Sequence, residues 1–123
     1  MIEKIEITTV HTDVDDEVKK YVKKKIGKLD GYMPKHARKS AHAEVWLKES
    51  KVKNLKKSTC EINIFVPGEK IQATETTVNM YAAIDIVEEK LKSQLKKYKD
   101  QHQAKSKHSE NRIRSAFGKI VRR

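Results

Sequence analysis

The sequence has little glycine, little proline, few aromatic residues and a single cysteine. Its 123 residues include 4 glycines, 2 prolines, 1 cysteine and 6% aromatic residues. One cysteine excludes an internal disulfide, and this composition favours a reducing compartment. With so few glycines, the chain has no glycine-rich loop of the kind that holds a nucleotide phosphate.

Long hydrophobic runs are also missing from the sequence. No window approaches the roughly 18 consecutive apolar residues that a membrane span needs. The N-terminal residues MIEKIEITTV contain acidic and β-branched residues without an uninterrupted apolar stretch, so no signal peptide is predicted. We therefore expect a soluble, cytoplasmic protein.

Residue patterns that would indicate catalysis or metal binding are absent as well. None of the five histidines stands at metal-ligand spacing from Cys60 or from a carboxylate pair. No candidate nucleophile lies beside a candidate base. Cys60 alternates with Ile62 and Ile64, which indicates a small buried hydrophobic residue. We predict that the protein is not an enzyme and binds no metal, cofactor or small-molecule substrate.

Positive charge dominates what is present. The chain has 28 Lys and Arg against 17 Asp and Glu, so its formal net charge is +11. On a chain long enough for one ordinary domain, such an excess indicates an anionic partner. Nucleic acid is the leading candidate and a membrane surface is the second. The alternative is plain solubility, for which about half of this charge would serve.

Alternating apolar and polar residues predict four strands, at residues 2–10, 41–49, 58–66 and 70–74. Apolar residues at helical spacing predict two helices. The first helix begins at a cap formed by Thr12 or Asp13 and ends near residue 29. The second covers 77–99, with an apolar stripe of Met80, Ile84, Val87, Leu91 and Leu95.

The intervening segments are predicted to be irregular. Residues 33–39 form a loop containing Pro34, and residues 50–57 form a polar connector. From residue 100 onward the apolar pattern ends, and the last 24 residues hold seven basic and two acidic residues. We therefore predict one domain at 1–99 and a basic, flexible tail at 100–123.

The element order β-α-β-β-β-α indicates an α+β fold. Strands one and two are predicted to be parallel neighbours through a right-handed crossover, and the later strands to form antiparallel hairpins. Each strand has one apolar face, so both helices must cover the same face of the four-stranded sheet. This arrangement is similar to a double-stranded-RNA-binding domain.

Lysines line both predicted helices. Lys25 and Lys28 share a flank of the first helix, and Lys90, Lys97 and, less squarely, Lys96 line the second. Lysine ammonium groups neutralise phosphates without reading bases, so binding should depend on shape and backbone charge. The competing interpretation is an ordinary solvated helix surface.

Two aromatic residues, Trp46 and Phe65, are predicted on the open face of the sheet. RNA-binding proteins that read single strands stack bases on aromatic side chains displayed in this way. The neighbouring residues lack the glycine and additional aromatics of such a motif. Coverage of the local surface, or contact with a partner or the tail, is therefore the favoured interpretation.

Three segments of the sequence resemble those of a known protein family. The segment 79–85 (NMYAAID), the following 90–99 (KLKSQLKKYK) and the Lys28-Leu29-Asp30 end of the first helix resemble the ribosome hibernation-promoting factors. These are also called ribosome-associated inhibitor, protein Y or sigma-54 modulation proteins. The resemblance covers about residues 2–100. One departure is Asn79, where the family pattern has an aspartate as a carboxylate cap.

The resemblance implies a translation inhibitor that binds the small (30S) ribosomal subunit in the channel for messenger and transfer RNA. Such proteins promote ribosome hibernation under stress. It further implies contacts to 16S rRNA by basic residues of the two helices, which correspond here to Lys19, Lys25, Lys28, Lys90 and Lys97. Ser93 stands at a position that is usually basic in the family, so that contact is either missing or supplied by Lys92 or Lys96.

The same resemblance implies a short form, monomeric off the ribosome, because the chain ends at Arg123 without room for a ribosome-pairing domain. Two alternatives stay open. A generic double-stranded RNA-binding module would bind isolated duplexes as well as it binds ribosomes. A regulatory protein-interaction module would use Trp46, Phe65 and the tail, and its binding would survive high salt.

Overall fold

The structure, a computed structural model, describes residues 2–11 and 15–115, with side chains as far as residue 101. The strands are β1 (Lys4–Val10), β2 (His42–Val52), β3 (Leu55–Val66) and β4 (Glu69–Thr77). The helices are α1 (Asp16–Gly27), a 3-10 helix (Lys28–Tyr32), α2 (Lys35–Arg38) and α3 (Met80–Ser115).

The four strands form one mixed sheet in the order β1-β2-β3-β4. β1 runs parallel to β2, whereas β2–β3 and β3–β4 are antiparallel. The register places Val45 beside Ile7 on one side and Ile62 on the other, and Ile62 beside Ala73. The predicted α+β fold, its strand directions and its element order are confirmed.

The core lies between one face of the sheet and the two long helices. Val22 and Ile26 of α1 are buried against it, as are seven residues of α3: Met80, Ala83, Ile84, Val87, Leu91, Leu95 and Tyr98. The sheet contributes Ala43, Val45, Leu47, Cys60, Ile62, Ile64, Val66, Ile71 and Ala73. All nine lie at the alternating positions that were predicted to face inward, because successive strand residues point to opposite faces.

The N-terminal caps of α1 and α3 both differ from the predictions. Asp15 caps α1, its Oδ1 accepting a hydrogen bond from the Val18 amide at 3.4 Å. Thr12 and Asp13, the predicted caps, lie outside the described residues. At α3, the Asn79 Oδ1 accepts from the amides of Tyr81 (2.8 Å) and Ala82 (3.4 Å). An amide oxygen therefore does at Asn79 what the expected aspartate would do.

The predicted connector at 50–57 was wrong. β2 and β3 continue through this segment to a two-residue turn at Lys53 (φ 52°) and Asn54 (φ 65°). Two successive positive φ values define the type I′ turn, whose twist matches that of the flanking strands. The lysines that suggested a connector are instead strand residues, which is possible because every side chain of this segment is exposed.

Three other boundaries differ from the predictions. The loop at 33–39 contains the short helix α2, and Arg38 Nε donates to the Met33 carbonyl at 3.2 Å. β4 continues to Thr77, and α3 continues to Ser115, past the predicted end at 99. The division into a domain at 1–99 and a tail stays a prediction, and residues 116–123 lie outside the described chain. No helix within the described residues is both long and apolar enough to cross a membrane.

Candidate nucleic-acid interface

α1 and α3 lie side by side on the sheet, and charged and aromatic side chains fill the groove between them. Lys25 of α1 reaches two carboxylates of α3, with its Nζ 3.4 Å from Glu88 and 3.5 Å from Asp85. The Tyr21 hydroxyl donates a 2.5 Å hydrogen bond to Asp85. The ring of Tyr21 also packs edge-on against Tyr81 at 5.0 Å between centroids. These contacts fix the spacing of the two helices.

The ionisation of this cluster follows from its hydrogen bonds and charges. The bond to Asp85 raises the pKa of Tyr21, with desolvation as a second cause, because a carboxylate partner favours the protonated phenol. For Lys25, desolvation lowers the pKa, but attraction to Glu88, Tyr21 and Asp85 outweighs it, so its pKa is raised overall. The Lys25 ammonium is thus already neutralised in part by protein carboxylates.

Beside the 3-10 helix, the groove is more positive. Lys92 and Lys96 of α3 both lie over the ring of Tyr32, with their Nζ atoms 5.4 and 5.6 Å from its centroid. Lys92 also pairs with Glu89 at 3.3 Å, and the hydrogen bond from that pair raises its pKa. Lys96 is exposed, and Tyr32 is half-buried. The ring holds two ammonium groups at the surface by cation–π attraction.

The opposite flank of α3 is bonded to the edge strand β4. Lys90 Nζ lies 2.7 Å from Glu75 Oε1 and 3.2 Å from the Thr74 carbonyl oxygen. Gln94 donates to the Gln72 carbonyl at 2.8 Å. Carbonyls on the outer edge of a sheet need partners or invite pairing with another strand. This flank therefore closes the sheet edge, and Lys90 takes part in closing it.

The six lysines proposed from the sequence as RNA contacts occupy different parts of the helix layer. Lys25 lies in the groove, Lys96 lies beside Tyr32, and Lys28 begins the 3-10 helix that carries Tyr32. Lys90 lies on the β4 flank, and Lys97, seven residues further along α3, returns to about the same flank.

Lys19 lies on α1 six residues before Lys25. At 100° per residue, the two side chains are separated by about 120° around the helix axis. The structure therefore places Lys25 in the groove, Lys96 beside Tyr32 and Lys28 at the start of the 3-10 helix. It places Lys19, Lys90 and Lys97 at other positions around α1 and α3. A contact between any of them and RNA stays a prediction.

Sequence reasoning missed the tyrosines of the groove and the partners of two of its acidic residues. Helical spacing alone would pair Asp85, Glu88 and Glu89 with lysines of their own helix. Glu89 does so with Lys92, three residues away, whereas Asp85 and Glu88 pair across the groove with Lys25. A signal was available, since Tyr21 and Lys25 are four residues apart beside the apolar stripe of the first helix.

The other residues considered in the sequence analysis, Phe65, Trp46 and Cys60, contact neighbouring residues of the sheet or lie in the core. Phe65 stacks on His42 of the neighbouring strand at 4.6 Å between centroids, and Trp46 is half-buried on the same open face. Burial raises the pKa of the Cys60 thiol to about 12, so it is an unreactive core residue. In the part of the chain that the structure describes, no group of three or more His, Cys, Asp or Glu could hold a metal ion.

Comparison with known proteins identifies relatives of this chain. It is 34% identical over 96 residues to a ribosome hibernation promotion factor of Lactococcus lactis, and 31% identical over 103 residues to one of Staphylococcus aureus. These matches cover 78% and 80% of this chain. They cover 49% and 50% of the relatives, so the chain spans about half their length.

Two solved structures share the fold. The N-terminal domain of Thermus thermophilus Protein Y superposes with a TM-score of 0.58 at 27% identity, covering 79% of this chain and 97% of that domain. A ribosomal subunit interface protein from Coxiella burnetii superposes with a TM-score of 0.63 at 26% identity, covering 79% and 98%. The family model for sigma 54 modulation protein / S30EA ribosomal protein matches residues 5–103. The chain therefore belongs to the sigma 54 modulation protein / S30EA ribosomal protein family.

Proposed function

We propose that this protein is a ribosome-associated hibernation factor, which binds the small (30S) ribosomal subunit and stops translation. The observation that carries the proposal is the family match over residues 5–103, which includes the whole sheet except one residue of β1, together with α1 and most of α3. Relatives with this match are named ribosome hibernation promotion factor, and a solved neighbour is named a ribosomal subunit interface protein. A ribosomal partner would place its action in the cytoplasm.

The helix layer supports RNA as the partner. A net charge of +11 on 123 residues attracts a polyanion, and the lysines at the groove are point charges suited to phosphates. Protein carboxylates and tyrosine rings occupy the groove between α1 and α3. We infer that 16S rRNA lies across the outer surface of the helix layer, held through its backbone.

The proposed contacts to 16S rRNA are made by Lys19, Lys25, Lys28, Lys90, Lys96 and Lys97. Their expected contributions differ. Lys28, Lys96 and Lys97 are exposed and form no ion pair among the described contacts, so they can reach a phosphate without breaking one. Lys90 would have to weaken its 2.7 Å pair with Glu75, and Lys25 its contacts to Glu88 and Asp85. We expect the exposed three to contribute most.

The test is equilibrium binding to purified small ribosomal subunits, measured by co-sedimentation over a range of salt concentrations. The helix variant carries Lys28→Gln, Lys96→Gln and Lys97→Gln. Each phosphate contact contributes roughly 0.7 to 0.9 to the slope of log affinity against log salt. The helix variant should bind about tenfold to hundredfold more weakly at physiological salt, with a slope lower by about 2. It should also inhibit protein synthesis in vitro correspondingly less.

The control variant carries the same loss of charge at three exposed lysines near the start of β2 and β4: Lys35→Gln, Lys39→Gln and Lys70→Gln. Charges outside the contact are screened within about 8 Å at physiological ionic strength, so its affinity should fall less than about threefold. An equal loss of affinity in the helix variant and the control variant would contradict the assignment of RNA binding to the helix layer. Equal affinity for isolated RNA duplexes and for small subunits would favour a generic RNA-binding module instead.

A further inference from the structure

The β2–β3 hairpin projects beyond the rest of the sheet. The pairing of β1 with β2 ends at Val10 and Lys48, and the pairing of β4 with β3 ends at Thr77 and Ser58. Residues 50–57, here termed the basic arm, are therefore paired only with each other. All eight are exposed, and they comprise four lysines and no acidic residue.

The lysines of the basic arm are placed where they repel each other. The register sets Lys51 directly opposite Lys56, so their side chains leave the same face of the hairpin. Like charges directly opposite each other destabilise a strand pair. Glu49, at the base of the arm, lies 3.1 Å from Lys56 and offsets part of this repulsion. In the described part of the chain, Lys51, Lys53 and Lys57 form no ion pair.

The repelling pair lines a concave surface. His11, Glu49, Ser50, Lys51 and Lys56 surround a cavity of about 510 Å³ at the base of the arm. At the tip, the exposed side chains of Val52 and Leu55 face each other across the hairpin. The Lys51–Lys56 pair lowers the stability of the hairpin and the contact of Lys56 with Glu49 offsets only part of this, which indicates that its role is to bind a ligand. Among the described residues that line this cavity, two lysines stand against one carboxylate, so an anion is the ligand that would balance the charge.

The basic arm lies at the opposite end of the sheet from Lys96 and Lys97, the exposed lysines beside Tyr98 in α3. The Tyr98 hydroxyl donates to the Pro67 carbonyl at 2.9 Å, so that part of α3 lies at the far end of β3. The 11 steps from Leu55 to Val66 span about 35 Å at roughly 3.3 Å per residue. A phosphate held by Lys96 or Lys97 therefore cannot also be held by the arm.

We propose that the basic arm is a second RNA-binding site, which engages a separate stretch of phosphate backbone on the same ribosomal subunit. The inference rests on the proposed function for the identity of the RNA. The lysines of the arm neutralise backbone phosphates, and the type I′ turn places them on a projection beyond the rest of the sheet. Binding at two ends of the molecule sets the orientation of the protein as well as its affinity.

The test uses an arm variant, Lys51→Gln with Lys53→Asn and Lys57→Gln, in the full chain. Lys56 keeps its pair with Glu49, and asparagine suits the positive φ at position 53. With purified small ribosomal subunits as the probe, we expect about tenfold weaker binding and a salt slope lower by 1 to 2. The matched control is again Lys35→Gln, Lys39→Gln and Lys70→Gln.

Thermal unfolding of the free protein distinguishes a binding role from a structural one. Removing Lys51 relieves its repulsion from Lys56, so the arm variant should melt at the same temperature as the wild type or higher. Weaker binding by a protein that is no less stable supports the proposal. An affinity and salt slope equal to those of the control variant would overturn it.

Footprinting of the RNA in the small subunit separates the two sites. The wild type should protect two separate backbone stretches, the arm variant should lose one, and the helix variant should lose the other. If the helix variant binds small subunits normally while the arm variant binds them weakly, the proposed helix surface is wrong and the proposal for the basic arm is supported. Weaker binding by the arm variant without loss of any RNA protection would overturn the RNA assignment, because it would place the arm against protein.

Discussion

The two flanks of α3 carry similar side chains with different tasks. On the β4 flank, Lys90 and Gln94 donate to carbonyls of the edge strand, and these two side chains serve the fold. On the other flank, Lys92 and Lys96 extend over Tyr32 toward solvent. The comparison shows that the neighbouring element decides whether a lysine on a helix surface stabilises the fold or is available to bind a partner.

The largest expected effect comes from the apolar stripe between the two flanks. Leu91 is fully buried, so Leu91→Ala should lower the free energy of unfolding by about 2 to 5 kcal/mol, because it removes packed methyl groups and leaves a cavity. Urea denaturation followed by circular dichroism measures this change. Ser93→Ala, at an exposed position of the same helix, is the control and should change it by less than about 0.5 kcal/mol.

The second largest loss of stability should come from removing the hydrogen bond between Tyr21 and Asp85, and this loss should depend on pH. Tyr21→Phe removes the hydrogen bond to Asp85 and should cost about 1 kcal/mol at pH 7. Because this bond raises the pKa of Tyr21 above its ordinary value of 10.0, the contribution is complete below about pH 10. It is lost as the pH rises through the raised pKa.

Urea denaturation of the wild type and Tyr21→Phe between pH 7 and 11 tests this. The difference in stability between them should be constant up to about pH 9 and should shrink above pH 10. Tyr81→Phe is the control, since its hydroxyl has no hydrogen bond among the described contacts. A difference that grows with pH would show that the hydrogen bond is not its source.

The hydroxyl of Tyr98 should contribute slightly less. Its ring is buried in the core, and its hydroxyl donates to the Pro67 carbonyl in the β3–β4 turn. Tyr98→Phe retains the ring and should cost about 0.5 to 1 kcal/mol in denaturation experiments, because one partly exposed hydrogen bond is lost. Desolvation of the phenol raises the pKa of Tyr98, so the phenol stays protonated and the difference in stability between wild type and Tyr98→Phe should be constant from pH 6 to 9. A cost above 3 kcal/mol would indicate repacking of the core instead.

The smallest effect on stability, and the sharpest test of the comparison, concerns single lysines. Lys90→Gln removes an exposed ion pair and should cost no more than about 0.5 to 1 kcal/mol. Lys96→Gln should leave stability nearly unchanged. In binding to small ribosomal subunits the order should reverse, with Lys96→Gln weakening affinity several-fold and Lys90→Gln less. Equal losses of affinity would show that Lys90 contacts the partner as much as Lys96 does, despite its pair with Glu75.

Much of the fold could be predicted because it depends on local periodicity. Alternation on β2 and β3 placed Val45 and Ile62 in the core, and helical spacing did the same for Ile84 and Leu91. The arm escaped prediction because its side chains are all exposed and show no difference between two faces. Its turn signal was a lysine followed by Asn54, which is weaker than the Asn-Gly typical of type I′ turns.

The sequence by itself determined the element order, the inward faces of the strands and helices, the strong positive charge and the resemblance that led to the family. Each of these depends on residues a few positions apart or on the total composition. Only the tertiary structure decided that Lys25 meets Glu88, that Lys90 closes the edge of β4 and that Lys51 opposes Lys56. Such contacts join segments distant in the chain, and their geometry is fixed by how the helices and strands pack. A lysine therefore reveals its role only when its neighbours in space are known.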